Sequence, residues 1–225
     1  MALVQQGFLF DEDEFFRHDG RGCCEQIGVN SVILRGFALP KVAVLIEELG
    51  RITQVAPFRQ MQTAGGHTMS VAMANCGEWG WLSDEQGYRY TQYDPVTAKP
   101  WPTMPAPLLK LAVDAAAAAG FEDFRPNACL INRYRPGSKM SLHQDKNEQD
   151  FKQPIVSVSL GIPAVFLFGG HERSDRPAKH PLFHGDIVVW GGVDRLRYHG
   201  VMPLKEARHP VFGANRINLT FRKAR

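Results

Sequence analysis

The stretch after Gly120 constrains the fold most. Ala128 to Tyr134, Ile155 to Leu160, Ala164 to Phe168, Asp186 to Trp190 and Ile217 to Phe221 are short β-type runs, separated by Gly, Pro or polar turns. So many short strands within about a hundred residues point to a jelly roll or small barrel, not to alternating β-α units. Upstream, Leu39-Pro40 opens a helix with Val42, Leu45, Ile46 and Leu49 on one face, ending near Gly50 or running on to Val55. Leu108 to Ala119 is alanine-rich and helical, with Gly120 where a C-terminal cap belongs. Between them the chain is rich in Gly, Pro and aromatic residues, with MSVAM a strand and WGWLSDEQGYRY a hairpin-like segment. The expected class is mainly β with flanking helices (α+β).

Composition adds limits rather than direction. The 225 residues can bury a full core, and a net charge of +3 permits an anionic partner without suggesting one. The first residues lack a basic start, a long apolar run and a small-residue cleavage site, so no secretory signal is expected. No apolar stretch reaches the length of a membrane span. Cys23, Cys24, Cys76 and Cys129 match no zinc spacing and read as reduced thiols of a cytoplasmic protein.

His143-Gln144-Asp145 sets an imidazole and a carboxylate two residues apart. In extended backbone, residues i and i+2 project to one face, so both can grip one ion. A third ligand must come from elsewhere, and His199 in Tyr198-His199-Gly200 is the best candidate. Two histidines and one carboxylate on one face of an octahedron leave three positions open, which suits non-haem iron(II) with a co-substrate and dioxygen. Alone, the pattern is weak: taken by itself, His143 reads better as an ordinary loop histidine. A second H-x-D, His184-Gly185-Asp186, reads as a turn because Gly185 favours a bend and IVVW follows at once.

The C-terminal run shifts the balance. In Arg216-Ile-Asn218-Leu-Thr220-Phe-Arg222, strict alternation puts Arg216, Asn218, Thr220 and Arg222 on one face and the apolar residues on the other. Arginine binds carboxylates bidentately, and its unpaired burial is costly, so a core-facing version of this strand calls for an anionic ligand. A dicarboxylic acid such as 2-oxoglutarate matches. The alternative is a solvated edge strand with one polar face. In Leu130-Ile-Asn132-Arg-Tyr134, Asn132 and Tyr134 share a face and add neutral donors.

ACLINRYRPGSKMSLHQD, IVSVSLGIPAVFLFGG, HGDIVVWGG, RLRYHG and RINLTFR, with PFRQM, HTMSVAMANCG and GWLSDEQGYRY upstream, closely resemble bacterial AlkB-type alkylated-DNA repair dioxygenases. The resemblance spans nearly everything after about residue 30. It implies a double-stranded β-helix core over 126–225, an N-terminal extension with a nucleotide-recognition lid over 29–125, and a leader over 1–28. These form one integrated domain, the leader loose apart from docking by Phe8 and Phe10.

By the same resemblance His143, Asp145 and His199 would hold iron(II). Arg216 would pair with the distal carboxylate of 2-oxoglutarate, and Arg222, Asn132, Tyr134 and Asn218 would complete its pocket. Trp81 would stack on the target base opposite the His143 ring. Met73 and Tyr88 would line the lid, with Lys139, Gln144 and Arg173 nearby. The activity implied is oxidative removal of alkyl groups from 1-methyladenine- or 3-methylcytosine-type lesions in DNA repair. It consumes dioxygen and 2-oxoglutarate and releases formaldehyde, succinate and carbon dioxide. DNA and RNA stay open as substrates, and a monomer with no obligate protein partner is expected.

The aromatic residues agree with a base-binding lid: Trp79, Trp81, Tyr88, Tyr90 and Trp101 interleave with Arg59, Arg89 and Lys99. At least half of these rings, Trp101 included, read as core. One position departs from the family: Asn147 follows HQDK where an acidic residue is familiar, which leaves lesion preference open and makes Glu148 a candidate to compensate. Rival readings are a same-fold dioxygenase acting on a small molecule or protein side chain, and a catalytically silent nucleic-acid-binding module.

Overall fold

The computed structural model describes residues 22–225, so the acidic run at Asp11–Glu14 and the docking of Phe8 and Phe10 lie outside the described residues. Apolar alternation builds one large sheet of eight strands. Its order is β1 (Cys24–Gly28), β2 (Ser31–Leu34), β12 (Ile187–Trp190), β9 (Ile155–Gly161), β14 (Arg216–Arg222), β7 (Ala128–Tyr134), β4 (Thr68–Gly77) and β3 (Arg59–Gln62). A second sheet orders β11 (Ala178–Leu182), β10 (Ala164–Phe168), β13 (His199–Val201) and β8 (Met140–His143). A separate hairpin pairs β5 (Gly80–Asp84) with β6 (Gly87–Thr91).

Period-two alternation decides which side chains meet which layer. On β14, Ile217, Leu219 and Phe221 face the helical layer, where they join Leu45, Leu108 and Ala112 in one core. The opposite face looks between the two sheets. There the filling is apolar at both ends: Val71, Met73, Leu130 and Tyr134 meet Ala164 and Val201, while Ile33, Ile155, Val188 and Trp190 meet Phe166, Phe168 and Leu182. Between those clusters runs a polar band of Ser157 and Ser159 on β9, Asn132 on β7, and Arg216, Asn218, Thr220 and Arg222 on β14. Because β14 pairs with β7 on one side and β9 on the other, it is a central strand with every residue buried. The edge-strand alternative therefore falls.

The helices sit as expected, with shifted ends. A 3-10 turn at Leu39–Lys41 leads into α1 (Val42–Val55), which runs through Gly50 and buries Leu45, Leu49 and Ile52. α2 (Ala106–Ala118) ends before Gly120, whose φ of +87° is the left-handed cap that glycine adopts without a Cβ clash. β1 lies inside the stretch assigned to the leader, pairing with β2, so sheet structure begins at Cys24. The extension shares its sheet with the core, since β2, β3 and β4 belong to the same eight strands. Among the described residues no helix is long and apolar enough to cross a membrane.

Candidate active site

β8 ends at His143, and the antiparallel β13 begins at His199, its register partner. Asp145 lies just beyond the end of β8, in the irregular segment that follows the strand, two residues from His143. The ligand atoms of His143, Asp145 and His199 all lie within 4.8 Å of one another. His143 Nε2 is 3.8 Å from Asp145 Oδ1, and His199 Nε2 is 3.6 Å from Asp145 Oδ2. Each imidazole places Nδ1 on a main-chain carbonyl two residues earlier, Ser141 at 2.8 Å and Arg197 at 3.0 Å. A carbonyl only accepts, so Nδ1 holds the proton and Nε2 turns a lone pair towards Asp145.

The electrostatics keep His143 and Asp145 in ligating form. Burial, followed by the charge of His199, lowers the His143 pKa to about 4. Burial alone would raise Asp145, but the adjacent Arg222 charge and then His199 hold it well below the usual carboxylate range. Two neutral imidazoles and one carboxylate form the donor set of a facial iron(II) site. Trp190 and Phe166 wall in His199, with ring centroids 4.9 and 6.1 Å from its own. The His143 side chain is 38% exposed, so the cluster opens on that side.

Beside it, the polar band carries a charge that the protein leaves unmatched. Arg216 is 2% exposed, lies 5.1 Å from the Tyr134 ring centroid, and donates Nη2 to Ser159 Oγ at 3.0 Å. Its Nε and Nη1 have no partner, and no carboxylate pairs with it among the described residues. Burial pushes its pKa down, with Tyr134 opposing. Asn132 adds another buried orphan, Oδ1, while its Nδ2 donates to Asn218 Oδ1 at 3.3 Å. Asn218 Nδ2 donates in turn to Ser157 Oγ and the Val158 carbonyl. A buried guanidinium with unpaired N–H groups costs several kcal/mol. A carboxylate ligand would cancel that penalty, so the residues fit 2-oxoglutarate. Arg222 differs: its Nε and Nη2 grip Asp145 Oδ2 at 2.9 and 2.7 Å.

The residues expected around the base divide into groups. Trp81 and Tyr88 stack, ring centroids 5.5 Å apart and 16° from parallel, with Tyr88 half exposed. Asn75 clamps the Trp81 backbone from both sides, accepting from its N–H at 3.0 Å and donating to its carbonyl at 3.1 Å. Gly80 lets the Trp101 ring lie against the hairpin, since a Cβ there would sit 2.3 Å from it. Trp101 is core, as expected, and donates Nε1 to the Thr91 carbonyl. Lys139 and Arg173 are exposed and form no ion pair among the described residues. Asn147 reaches the Tyr88 carbonyl with Nδ2 at 3.5 Å.

Three expected substrate residues are buried or engaged within the protein. Met73 is 1% exposed within the cluster on which Trp81 packs, so it supports the lid from below rather than lining its surface. Gln144 donates Nε2 to the Leu196 carbonyl at 2.6 Å, which ties down a loop. Glu148 is buried, bound by Arg195 at 3.1 Å and by the Tyr90 hydroxyl, so it cannot stand in at the base for the missing acid. His184-Gly185-Asp186 is a turn: Gly185 has φ +90° and Asp186 pairs with Arg35 at 2.7 Å. Sequence reasoning missed Ser159, the anchoring role of Tyr90, and Arg195. Their partners lie 57, 58 and 47 residues away, with no local pattern to mark them.

The comparisons with known proteins agree with this geometry. The profile of the 2OG-Fe(II) oxygenase superfamily matches residues 31–222. The chain is 55% identical over 200 residues to the alpha-ketoglutarate-dependent dioxygenase AlkB of Escherichia coli K12, covering 89% of this chain and 93% of that one. It is 38% identical over 116 residues to the human nucleic acid dioxygenase ALKBH1, 51% of this chain and 30% of that one. The solved structure of OsALKBH1 superposes with a TM-score of 0.77 at 26% identity, covering 89% of this chain and all of that one. The chain thus belongs to the 2OG-Fe(II) oxygenase superfamily, in its AlkB branch, as an iron(II)- and 2-oxoglutarate-dependent dioxygenase.

Proposed function

We propose that this enzyme strips alkyl groups from ring nitrogens of nucleic-acid bases, with 1-methyladenine- and 3-methylcytosine-type lesions in DNA as its substrates. The observation that carries this reading is the Trp81–Tyr88 stack on a hairpin that is hydrogen-bonded, through the Tyr88 carbonyl and the Tyr90 hydroxyl, to Asn147 and Glu148 just beyond Asp145. A small-molecule oxygenase has no need of an aromatic platform open to solvent. Base stacking on such a platform contributes about 1–3 kcal/mol per base. Relatives named as a DNA N(6)-methyladenine demethylase in Arabidopsis thaliana and a tRNA demethylase in Schizosaccharomyces pombe support a nucleic-acid substrate. The same reading makes the chain a cytoplasmic monomer.

Iron(II) held by His143, Asp145 and His199 would couple the oxidation of 2-oxoglutarate to succinate and carbon dioxide with hydroxylation of the alkyl carbon. The protein's own residues do the rest. Arg216, with Tyr134 and Asn132 beside it, receives the distal carboxylate of 2-oxoglutarate. Arg222 holds Asp145 in its ionised form and Asn218 fixes the Asn132 amide. Trp81 takes one face of the base opposite the His143 ring, and Tyr88 extends the stack towards the backbone. Lys139 and Arg173, both exposed, meet phosphates. A base within a duplex cannot reach a buried metal, so it must flip out at a cost of about a few kcal/mol, less where the lesion cannot pair. A cationic lesion also gains a cation–π contribution over Trp81.

The test is anaerobic reconstitution with iron(II), followed by turnover of methylated oligodeoxynucleotides and oligoribonucleotides with and without 2-oxoglutarate. Formaldehyde and succinate should appear together, only with the co-substrate, and faster from DNA. Succinate formation with the methylated bases left intact would overturn the proposal.

A further inference from the structure

Glu148 joins the hairpin to the segment that carries Asp145. Its side chain is 2% exposed, which removes it from any direct role at a base. One oxygen, Oε1, accepts from the Tyr90 hydroxyl and faces Arg222 Nε at 3.6 Å. The other, Oε2, accepts from Arg195 Nη2 at 3.1 Å. Both arginines then turn to Asp145. Arg222 grips its carboxylate, and Arg195 donates Nη1 to its main-chain carbonyl at 2.8 Å and Nε to the Gln153 carbonyl at 3.1 Å.

Two largely buried carboxylates, Asp145 and Glu148, and two buried guanidiniums, Arg222 and Arg195, thus form a formally neutral set that includes the carboxylate metal ligand. Breaking such a set is strongly unfavourable, because each departure leaves a charge unpaired in the interior. Its members therefore hold or relax together. Tyr90 is where the recognition hairpin enters. It stands on β6 as the register partner of Trp81, and residue 88 on the same strand face carries the stacked tyrosine. Burial pushes the Tyr90 phenol well above its ordinary value, with Arg222 opposing and Glu148 and Asp145 adding, so the hydroxyl stays a donor.

We infer that Glu148 is a positioning residue that ties the Trp81 hairpin to the metal-ligating Asp145 through the Tyr90 hydroxyl. A divalent ion and diacid that fix Asp145 and Arg222 also fix Glu148, and with it the Tyr90 end of the Trp81 hairpin. By linkage, a base stacked on the hairpin tightens ion and diacid binding by the same factor. The coupling rests on the proposed base-binding role of the hairpin only for its catalytic consequence. Its first readout therefore uses no nucleic acid.

Amide hydrogen exchange over residues 80–91 is measured in the apo enzyme and with manganese(II) plus 2-oxoglutarate, for the wild type, Tyr90→Phe and Glu148→Gln. In the wild type the pair should slow exchange of the hairpin by about fivefold or more. Tyr90→Phe removes one hydroxyl and keeps the ring, and should abolish that slowing while manganese(II) affinity falls by only about the same factor. With a methylated oligonucleotide, the same variant should raise KM for the nucleic acid about tenfold and leave KM for 2-oxoglutarate within that fivefold range. A wild-type hairpin that ignores manganese(II) and 2-oxoglutarate overturns the inference. So does a Tyr90→Phe hairpin that is slowed as much as the wild type, or a folded Glu148→Gln enzyme with the response intact. A responsive hairpin in an enzyme that turns over no methylated oligonucleotide keeps the coupling and removes the base-binding reading.

Discussion

The inner face of β14 and the β5–β6 hairpin hold their arginines in opposite ways. On β14 the guanidiniums of Arg216 and Arg222 are 2% and 6% exposed, and Arg216 waits over a buried Tyr134 with two unpaired nitrogens. On the hairpin, Arg89 is paired to Asp84 across the turn, with side chains 31% and 42% exposed, and Tyr88 presents its ring to solvent. The first region is a socket finished before its ligand arrives. The second is a two-stranded ribbon, a form that is marginal on its own. It depends on the Asn75 clamp, the Trp101 backing and the Tyr90 hydroxyl. A small co-substrate of fixed shape suits the socket. A polymer whose base must be extracted suits the ribbon.

The comparison can be broken most decisively at the socket. Replacing His199 with Ala should abolish succinate formation with every substrate, because the remaining donors no longer enclose an ion; residual turnover with iron(II) would show that the third ligand lies elsewhere. Arg216→Met should raise KM for 2-oxoglutarate by about a hundredfold, from the loss of two charge-assisted hydrogen bonds at about 1.5 kcal/mol or more each. The same change should raise the melting temperature of the ligand-free protein, since it removes a buried charge that no carboxylate among the described residues neutralises. Calorimetry on both states reads the pair of effects, and a melting temperature that drops would contradict the account of Arg216.

At the ribbon the expected effects are smaller. Trp81→Ala should raise KM for a methylated oligonucleotide about tenfold or more, from the stacking energy of a single base. KM for 2-oxoglutarate should stay put, and equal changes in both would argue against a stacking role. Asn147→Asp exchanges a neutral amide for an acceptor with negative charge. It should favour cationic lesions over neutral ones by a few-fold, read as a ratio of kcat/KM between 3-methylcytosine and 3-methylthymine.

The smallest effect is on acid stability, and it falls on the socket side. His184 accepts from the Gly161 N–H at 3.0 Å, and Gly161 is the register partner of Arg216. Burial and then the charge of His209 lower the His184 pKa to about 4. The folded state therefore binds fewer protons than the unfolded state between about pH 6.5 and pH 4, so stability should hold above that window and decline within it as pH falls. His184→Asn should flatten the decline in a thermal-melt series; an unchanged slope would assign the acid response to other groups.

How much of this could be read from the sequence follows from where the partners lie. The alternation in Arg216–Arg222 needed seven residues and no knowledge of the rest of the chain, and both the strand and its polar face emerged as expected. That the polar face would be enclosed depended on β7 and β9 flanking it, which residue spacing alone could not decide. β11 escaped notice because AKHPL is short and partly polar, held by its neighbour rather than by propensity. Glu148 misled because it adjoins Asp145 and Asn147 in the chain, while the arginine that claims it stands 47 residues on. β1 was lost to the leader for the same reason: CEQIG becomes a strand by pairing with SVIL.

Ser141 and Arg197 offer their carbonyls to the two ligand imidazoles regardless of what their side chains are. The orientation of both nitrogen donors is thus written into the main chain, out of reach of ordinary point substitution. Any drift in which ion this centre prefers has to work through the oxygen donor and the arginine that leans on it.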